Sequence, residues 1–145
     1  MNILAAVDFS AVTHQVIEIL GRIAKAMPAK VYLVHVAPPD PAFVGYGAGP
    51  KAVRGQVAAE HHARHQQLQD LADVLRERGV DTTALLLQGA TVDALIAEAR
   101  KLQAGLIVLG SHGHGAVHKL LVGSVAEGVV RQSEMPVLLV PARVR

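Results

Sequence analysis

Short apolar runs alternate along this chain with longer stretches in which apolar residues recur every three or four positions. Such runs are typical of strands buried on both faces of a parallel sheet, whereas the longer stretches predict amphipathic helices. We predict strands over 3–7, 30–36, 82–87, 106–109 and 137–140, and helices over 11–27, 51–78, 91–103 and 124–132. Because strands and helices alternate from end to end, the pattern indicates an α/β fold with a parallel sheet and right-handed crossovers.

Residues at the helix ends sharpen these boundaries. Ser10 is predicted to be the N-cap of the first helix, which ends before Pro28. Gly79 fits the left-handed position that commonly follows the last turn of a helix. Ser124 and Glu127 have the S-x-x-E spacing of a capping box, so Ser124 is expected to cap the last helix.

The composition indicates a single domain over residues 1–145. Apolar residues make up 51% of the chain but aromatic residues only 3%, so valine, leucine, isoleucine and alanine must fill the core. No internal repeat divides the sequence. Residues 37–50 contain four prolines and three glycines, and we predict a loop there that is either mobile, which we favour, or a lid over a ligand.

Charge and cysteine content exclude several classes of function. The chain has 14 basic and 12 acidic residues and a formal charge of +2, which is too weak a bias for a nucleic-acid-binding surface. The absence of cysteine excludes disulfides, thiolate zinc sites and cysteine nucleophiles. No signal-peptide pattern is visible, and no apolar run approaches the length of a membrane span. We therefore expect a cytoplasmic protein without nucleic-acid or membrane partners.

Residues 110–126, GSHGHGAVHKLLVGSVA, follow the fourth strand and include four glycines and three histidines. In open α/β sheets, ligands bind beyond the carboxyl ends of the strands, so this stretch stands where a site is expected. A flexible connector is the simple alternative, but a connector needs neither this length nor a helix start at its end. A glycine-rich loop that leads into a helix N-terminus is instead a natural phosphate-binding site.

The glycines follow the spacing G-x2-G-x9-G-S, which is neither a P-loop nor a dinucleotide-binding fingerprint. Four flanking stretches accompany it: V-D-F-S at 7–10, L-V-H-V at 33–36, I-V-L-G-S-H-G at 107–113 and P-V-L-L-V-P at 136–141. Together they resemble the universal stress protein (UspA-like) family, in particular its ATP-binding branch. The resemblance covers essentially the whole chain.

The resemblance implies an open, doubly wound five-stranded parallel sheet of order 3-2-1-4-5 with helices on both faces. It also implies a domain that binds ATP together with Mg²⁺. The residues expected to contact the nucleotide are Ala6, Val7 and Asp8 at adenine and ribose, Val36 at adenine, Leu109 and Gly110 at ribose and phosphates, and Gly113, Gly123, Ser124 and Val125 at the phosphates. The family pairs its last strands in antiparallel fashion, so a homodimer through Val137–Val140 is expected.

Single residues allow other interpretations. Asp8 could simply begin the first helix, although a carboxylate at this place typically pairs with a ribose hydroxyl. His61 and His65 share a helix face, but no zinc motif is present among the histidines, so we expect no dedicated metal site. His112 is expected to be structural or a polar neighbour of the phosphates, and His35 to be a hydrogen-bonded core histidine.

Three functions are compatible with this sequence. The first, which we favour, is a regulatory module that holds ATP with Mg²⁺ and changes its surface or its partners with occupancy. The second is an ATPase or phosphotransferase, which we disfavour because the loop carries neither a P-loop lysine nor an arginine. Slow hydrolysis is the most that we expect, and we assign no catalytic residue. The third is a nucleotide-free dimeric interaction protein of the same family.

Overall fold

The computed structural model describes residues 1–39, 51–112 and 122–142, with side chains from Gly55 onward in the second range. Its elements are β1 (Asn2–Ala6), α1 (Thr13–Ala26), β2 (Lys30–Ala37), α2 (Lys51–Glu77), β3 (Asp81–Gln88), α3 (Thr91–Lys101), β4 (Ala104–Gly110), α4 (Ser124–Gln132) and β5 (Val137–Val140). All the predicted strands and helices are present in the predicted order, with boundaries that differ by at most two residues. The predictions for residues 40–50 and for Gly113 lie outside the described residues.

The strands form one parallel sheet in the order β3-β2-β1-β4-β5. β1 is central, because Leu4 is paired with Tyr32 of β2 on one side and with Ile107 of β4 on the other. Chain order runs outward from β1 in both directions, so the winding reverses between β1 and β4. The predicted doubly wound fold is confirmed, and its switch point lies at the carboxyl ends of these two strands.

Successive residues of the central strands point to opposite faces of the sheet and fill two apolar layers. Ile3 and Ala5 pack on one face with residues of α1 and α2, namely Val16, Ile17, Leu20, Leu68, Ala72 and Leu75. Leu4 packs on the other face with residues of α3 and α4, namely Leu95, Ile96, Ala99, Ala126 and Val129. Helices therefore cover both faces, as strands that are apolar throughout require. None of the helices within the described ranges is both long and apolar enough to span a bilayer.

The predicted N-cap of α1, Ser10, is wrong. The helix begins at Thr13, with Val12 at the N-cap position. Asp8 Oδ1 accepts a hydrogen bond from the Ser10 N–H at 3.0 Å, and Phe9 has a φ of 60°. A non-glycine residue in this left-handed region is uncommon and marks a strained turn. The side chain of Asp8 therefore organises a turn in which Ser10 takes part, and the helix begins only after it.

The predicted capping box at the start of α4 is also wrong. Gly123 is the N-cap and Ser124 is the first helical residue. Glu127 does not reach back to the helix start, because its Oε1 pairs with Arg131 Nη2 one turn later, at 2.7 Å. A glycine at the N-cap provides no side-chain oxygen for the first amide groups of α4.

The prediction for Gly79 at the end of α2 is confirmed. Its φ is 81°, and its N–H donates to Arg76 O at 2.9 Å, while the Val80 N–H donates to Leu75 O at 3.0 Å. This pair of hydrogen bonds is the Schellman motif, which satisfies the last carbonyl groups of the helix. Val80 is buried directly after it, so the motif also directs the chain into β3.

Candidate functional site

A cavity of about 370 Å³ lies at the switch point, where β1 and β4 end. It is lined by nine of the ten residues predicted to contact a ligand: Ala6, Val7, Asp8, Val36, Leu109, Gly110, Gly123, Ser124 and Val125. The tenth, Gly113, lies outside the described residues. The volume falls within the range of small-molecule sites. The fold thus brings residues from both ends of the chain to one concave surface.

Nine further residues line the same cavity. They are Val12, Thr13, Val16, Val34, His35, Thr91, Leu95, His112 and Ala126. The sequence singles out His35 and His112 among them, whereas nothing in it predicts the other seven at the site. Most of these seven are apolar residues with no chemical signature, so only their position in the fold identifies them.

Three helices begin at this cavity, and each begins with a hydroxyl-bearing residue: Thr13 in α1, Thr91 in α3 and Ser124 in α4. The first N–H groups of a helix have no carbonyl partner within the helix and carry the positive end of its dipole. Three such ends around one cavity favour an anionic group of a ligand. A hydroxyl residue at a helix start is visible in the sequence, but only the topology shows that the three starts meet.

The turn after β1 is held against β2 at the cavity wall. The Val7 N–H donates to Val34 O at 2.9 Å, and His35 Nδ1 donates to Val7 O at 2.8 Å. The His35 ring packs against Phe9 with a centroid distance of 4.5 Å. The hydrogen bond predicted for His35 is therefore confirmed, but its ring is half-buried at the cavity rather than in the core. These contacts restrain the backbone on both sides of Asp8.

The end of β4 is tied to both β5 and α4 through Ser111. Its backbone N–H donates to Val140 O at 2.9 Å, and its carbonyl oxygen accepts a hydrogen bond from the Gly123 N–H at 2.7 Å. Its hydroxyl oxygen lies 2.8 Å from His112 Nδ1. One buried residue therefore sets the position of the α4 N-terminus and the orientation of the His112 ring.

Two of the three histidines of α2, His61 and His65, lie within hydrogen-bond distance of glutamine side chains. His61 Nε2 lies 3.2 Å from Gln88 Nε2, and His65 Nε2 lies 3.4 Å from Gln69 Nε2. Within the described ranges, no three histidine, cysteine, aspartate or glutamate side chains form a group that could hold a metal ion.

A second depression, of about 660 Å³, lies between α1 and α2 and is more open to solvent. Thr13 is the residue that it shares with the first cavity. Glu18 and Arg78 at its wall already form an ion pair at 2.7 Å, and the hydrogen bond from this guanidinium lowers the pKa of the Glu18 carboxyl below its ordinary value. Because these charges satisfy each other, we take the smaller cavity at the switch point as the candidate site.

The sequence is similar to those of known proteins along nearly its whole length. Residues 1–141 match the model of the universal stress protein family. A universal stress protein of Thermus aquaticus is 33% identical over 139 residues, which cover 96% of this chain and 97% of that protein. A universal stress protein of Methanocaldococcus jannaschii is 31% identical over 140 residues, which cover 96% and 81%.

Solved structures have the same fold. UspA from Lactobacillus plantarum superposes with a TM-score of 0.80 at 20% identity, covering 97% of each chain. A universal stress protein from Archaeoglobus fulgidus in complex with dAMP has a TM-score of 0.66 at 22% identity and covers 96% of each chain. Both likenesses show the fold alone. A universal stress protein in complex with cAMP has a TM-score of 0.69 at 25% identity, covering 99% of this chain and 98% of that one. From the family match over residues 1–141 and the two relatives above 30% identity, we conclude that the chain belongs to the universal stress protein family.

Proposed function

We propose that residues 1–145 act as a single cytoplasmic regulatory domain that binds ATP together with Mg²⁺. The observation that carries this proposal is the cavity at the switch point, where nine of the ten predicted contact residues and three helix N-termini converge. The complex of a similar universal stress protein with cAMP, at 25% identity, supports an adenine nucleotide as the class of ligand.

The part of the cavity formed by β1 and β2 suits adenine and ribose. Ala6, Val7 and Val36 contribute apolar wall, against which a flat base can pack. Asp8 adds a carboxylate, which accepts hydrogen bonds and is the group that typically pairs with ribose hydroxyls at a switch point. The hydrogen bond from the Ser10 N–H to Asp8 Oδ1 restrains this carboxylate.

The part of the cavity formed by β4 and α4 suits the phosphates. Leu109 and Gly110 end the strand, and Gly123, Ser124 and Val125 begin the helix. The amide groups of the first turn of α4 can donate to phosphate oxygens, and the helix dipole favours their negative charge. We propose that Gly113 belongs to the same cradle.

The charges around the cavity favour binding over fast chemistry. No lysine or arginine lines the cavity in the part of the chain that the structure describes, and Asp8 is the carboxylate found there. Mg²⁺ usually keeps several waters and binds partly through the phosphates of its substrate, so phosphate oxygens and water would hold it here while Asp8 pairs with the ribose. Fast phosphoryl transfer needs concentrated cationic stabilisation and a positioned base. We therefore expect at most slow hydrolysis.

Calorimetric titration of nucleotide-free protein with Mg-ATP, Mg-ADP and AMP tests this function. We expect saturable binding that weakens as phosphates are removed, because each lost phosphate removes contacts with the helix N-termini. Absence of binding to all three nucleotides would overturn the proposal and leave a nucleotide-free interaction protein as the function.

Two variants make the titration specific to the site. Asp8→Asn should weaken ATP binding about tenfold or more, the effect of losing a hydrogen bond to a charged group, while its amide oxygen can still accept from the Ser10 N–H. Asp70→Asn removes the same charge from the exposed surface of α2 and should bind like the parent protein. If both variants match the parent, the ribose assignment of Asp8 is wrong.

We also propose that two copies pair in antiparallel fashion through β5. This strand lies at the edge of the sheet, where unpaired backbone groups offer a template for another strand. Val137, Leu138 and Leu139 are apolar but only partly buried in the single chain. Pairing would cover both the backbone edge and these side chains.

Sedimentation velocity at micromolar concentration should therefore show a dimer. Val137→Lys is expected to shift the protein to monomer, because a charged side chain on an edge strand opposes strand pairing. Val74→Lys, on the partly exposed surface of α2, is the control and should remain dimeric. A parent protein that sediments as a monomer would contradict the proposed pairing.

A further inference from the structure

The imidazole ring of His112 has one nitrogen with a partner and one without. Nδ1 lies 2.8 Å from Ser111 Oγ, whereas Nε2 is buried and has no hydrogen-bond partner among the residues that the structure describes. Buried polar atoms are nearly always paired, so such a nitrogen calls for a physical explanation. Because His112 lines the cavity at the switch point, a ligand bound there can supply the missing partner.

Ser111 restrains this ring. Its backbone is fixed by hydrogen bonds to Val140 and Gly123, and the residue is only 8% exposed. Its hydroxyl can donate to Nδ1, and a neutral imidazole that accepts at Nδ1 carries its proton on Nε2. The Nε2–H group of His112 is then a hydrogen-bond donor with no acceptor from the described protein.

The surroundings select the kind of acceptor. Gly123 and Ser124, at the N-terminus of α4, line the same cavity as His112. The positive end of the helix favours an anionic group, and an anionic oxygen accepts hydrogen bonds without donating any. A phosphate oxygen therefore satisfies both the helix N-terminus and the Nε2–H donor, and a charge-assisted hydrogen bond of this kind is stronger than a neutral one.

We propose that His112 is a specificity-determining residue whose Nε2–H donates to an anionic phosphate oxygen of the ligand, and that Ser111 positions it through Nδ1. The inference rests on the proposed nucleotide-binding function of the cavity. It assigns to His112 the discrimination between a phosphorylated ligand and the corresponding nucleoside.

Two substitutions separate the roles of the ring nitrogens. His112→Asn keeps a polar group near Nδ1, within reach of Ser111, and removes the group at Nε2. His112→Gln places an amide nitrogen near the position of Nε2. In calorimetry with Mg-ATP, AMP and adenosine, we expect His112→Asn to weaken both nucleotides about tenfold or more and to leave adenosine unchanged. His112→Gln should recover part of this loss.

Matched controls separate a contact from a general disturbance of the fold. His62→Asn makes the same change on the exposed surface of α2, and it should bind all three ligands like the parent protein. Ser111→Ala should weaken nucleotide binding in the parent but have no further effect in the His112→Asn background, because its contribution passes through the ring. In spectra of ¹⁵N-histidine-labelled protein, Ser111→Ala should convert the Nε2–H tautomer of His112 into a mixture.

The other possible outcomes contradict either the assignment of His112 or the proposed function itself. An equal loss for ATP, AMP and adenosine in His112→Asn would show that Nε2 binds a nucleoside hydroxyl or stabilises the protein, and the proposal would be wrong. Unchanged nucleotide affinity in that variant would also overturn it, while the proposed function would stand. If the parent protein binds none of the three ligands, the proposed function itself fails, and the assignment of His112 fails with it.

Discussion

Gly110→Ala is expected to cost about 1–3 kcal/mol of folding free energy, the usual effect of overpacking a close contact. A methyl group at this position would collide with Cγ1 of Val12 and would lie 3.1 Å from the backbone oxygen of His112. Val12 is only 5% exposed, so it has little room to move aside. Since all three residues line the cavity, the same collision should also weaken ATP binding. A loss of about 1.4 kcal/mol in binding free energy would correspond to an affinity about tenfold lower. Chemical denaturation and calorimetry measure the two effects.

A second substitution tests whether this collision is the cause. In a Val12→Ala background, Gly110→Ala should cost less than it does alone, because the two residues are in contact and their effects are not additive. Gly55→Ala is the control. Apart from its chain neighbours and its own helix backbone, no atom of the described residues lies within 4 Å of the added carbon at this exposed position of α2, and alanine should stabilise the helix by about 0.5–1 kcal/mol. Full stability and affinity in Gly110→Ala would show that this close approach does not shape the site.

Ile107→Ala is expected to lower the free energy of unfolding by about 2–5 kcal/mol, a large share of the roughly 5–15 kcal/mol that stabilises a typical domain. Ile107 is fully buried at 0% exposure. It stands in β4 opposite Leu4 of β1 and Val137 of β5, in the layer that supports α3 and α4. Removing its side chain leaves a cavity under both helices, and urea denaturation measures the cost.

The size of the removed group should decide the size of this effect. Ile107→Val removes a single methylene and should cost about 0.5–1.5 kcal/mol. Val130→Ala on the exposed side of α4 should change stability by less than about 0.5 kcal/mol. A cost for Ile107→Ala no greater than that for Val130→Ala would contradict the two-layer core described above.

The positions of strands and helices could be predicted because a buried strand and a helix buried on one face each require apolar residues at a characteristic spacing along the sequence. The apolar run at 106–109 is the centre of β4, and the spacing of Leu95, Ile96 and Ala99 marks the buried face of α3. The order of the strands could not be predicted from spacing in this way. Alternation of strands and helices indicates only a parallel sheet. The order 3-2-1-4-5 was implied by the family resemblance, and the structure confirms that order.

The helix starts were less predictable, because several residues compete for the same backbone groups. Ser10 is a good N-cap by residue type, but the carboxylate of Asp8 holds its N–H in the preceding turn. Ser124 and Glu127 have the right spacing for a capping box, but Glu127 pairs with Arg131 instead. Each error follows from a neighbouring contact that the spacing rule does not include.

The sequence by itself determined the alternation of strands and helices and the glycine spacing that marks one side of the candidate site, since both depend on residues close together along the chain. Only the tertiary structure decided what completes the cavity. Thr13 and Thr91 begin different helices, and they share a cavity with Ser124 because the winding reverses at β1 and β4. The orientation of His112 likewise depends on Ser111, whose backbone is held between β5 and α4. A hydroxyl or an imidazole belongs to a site only when distant segments meet around it, and a local pattern does not contain those distances.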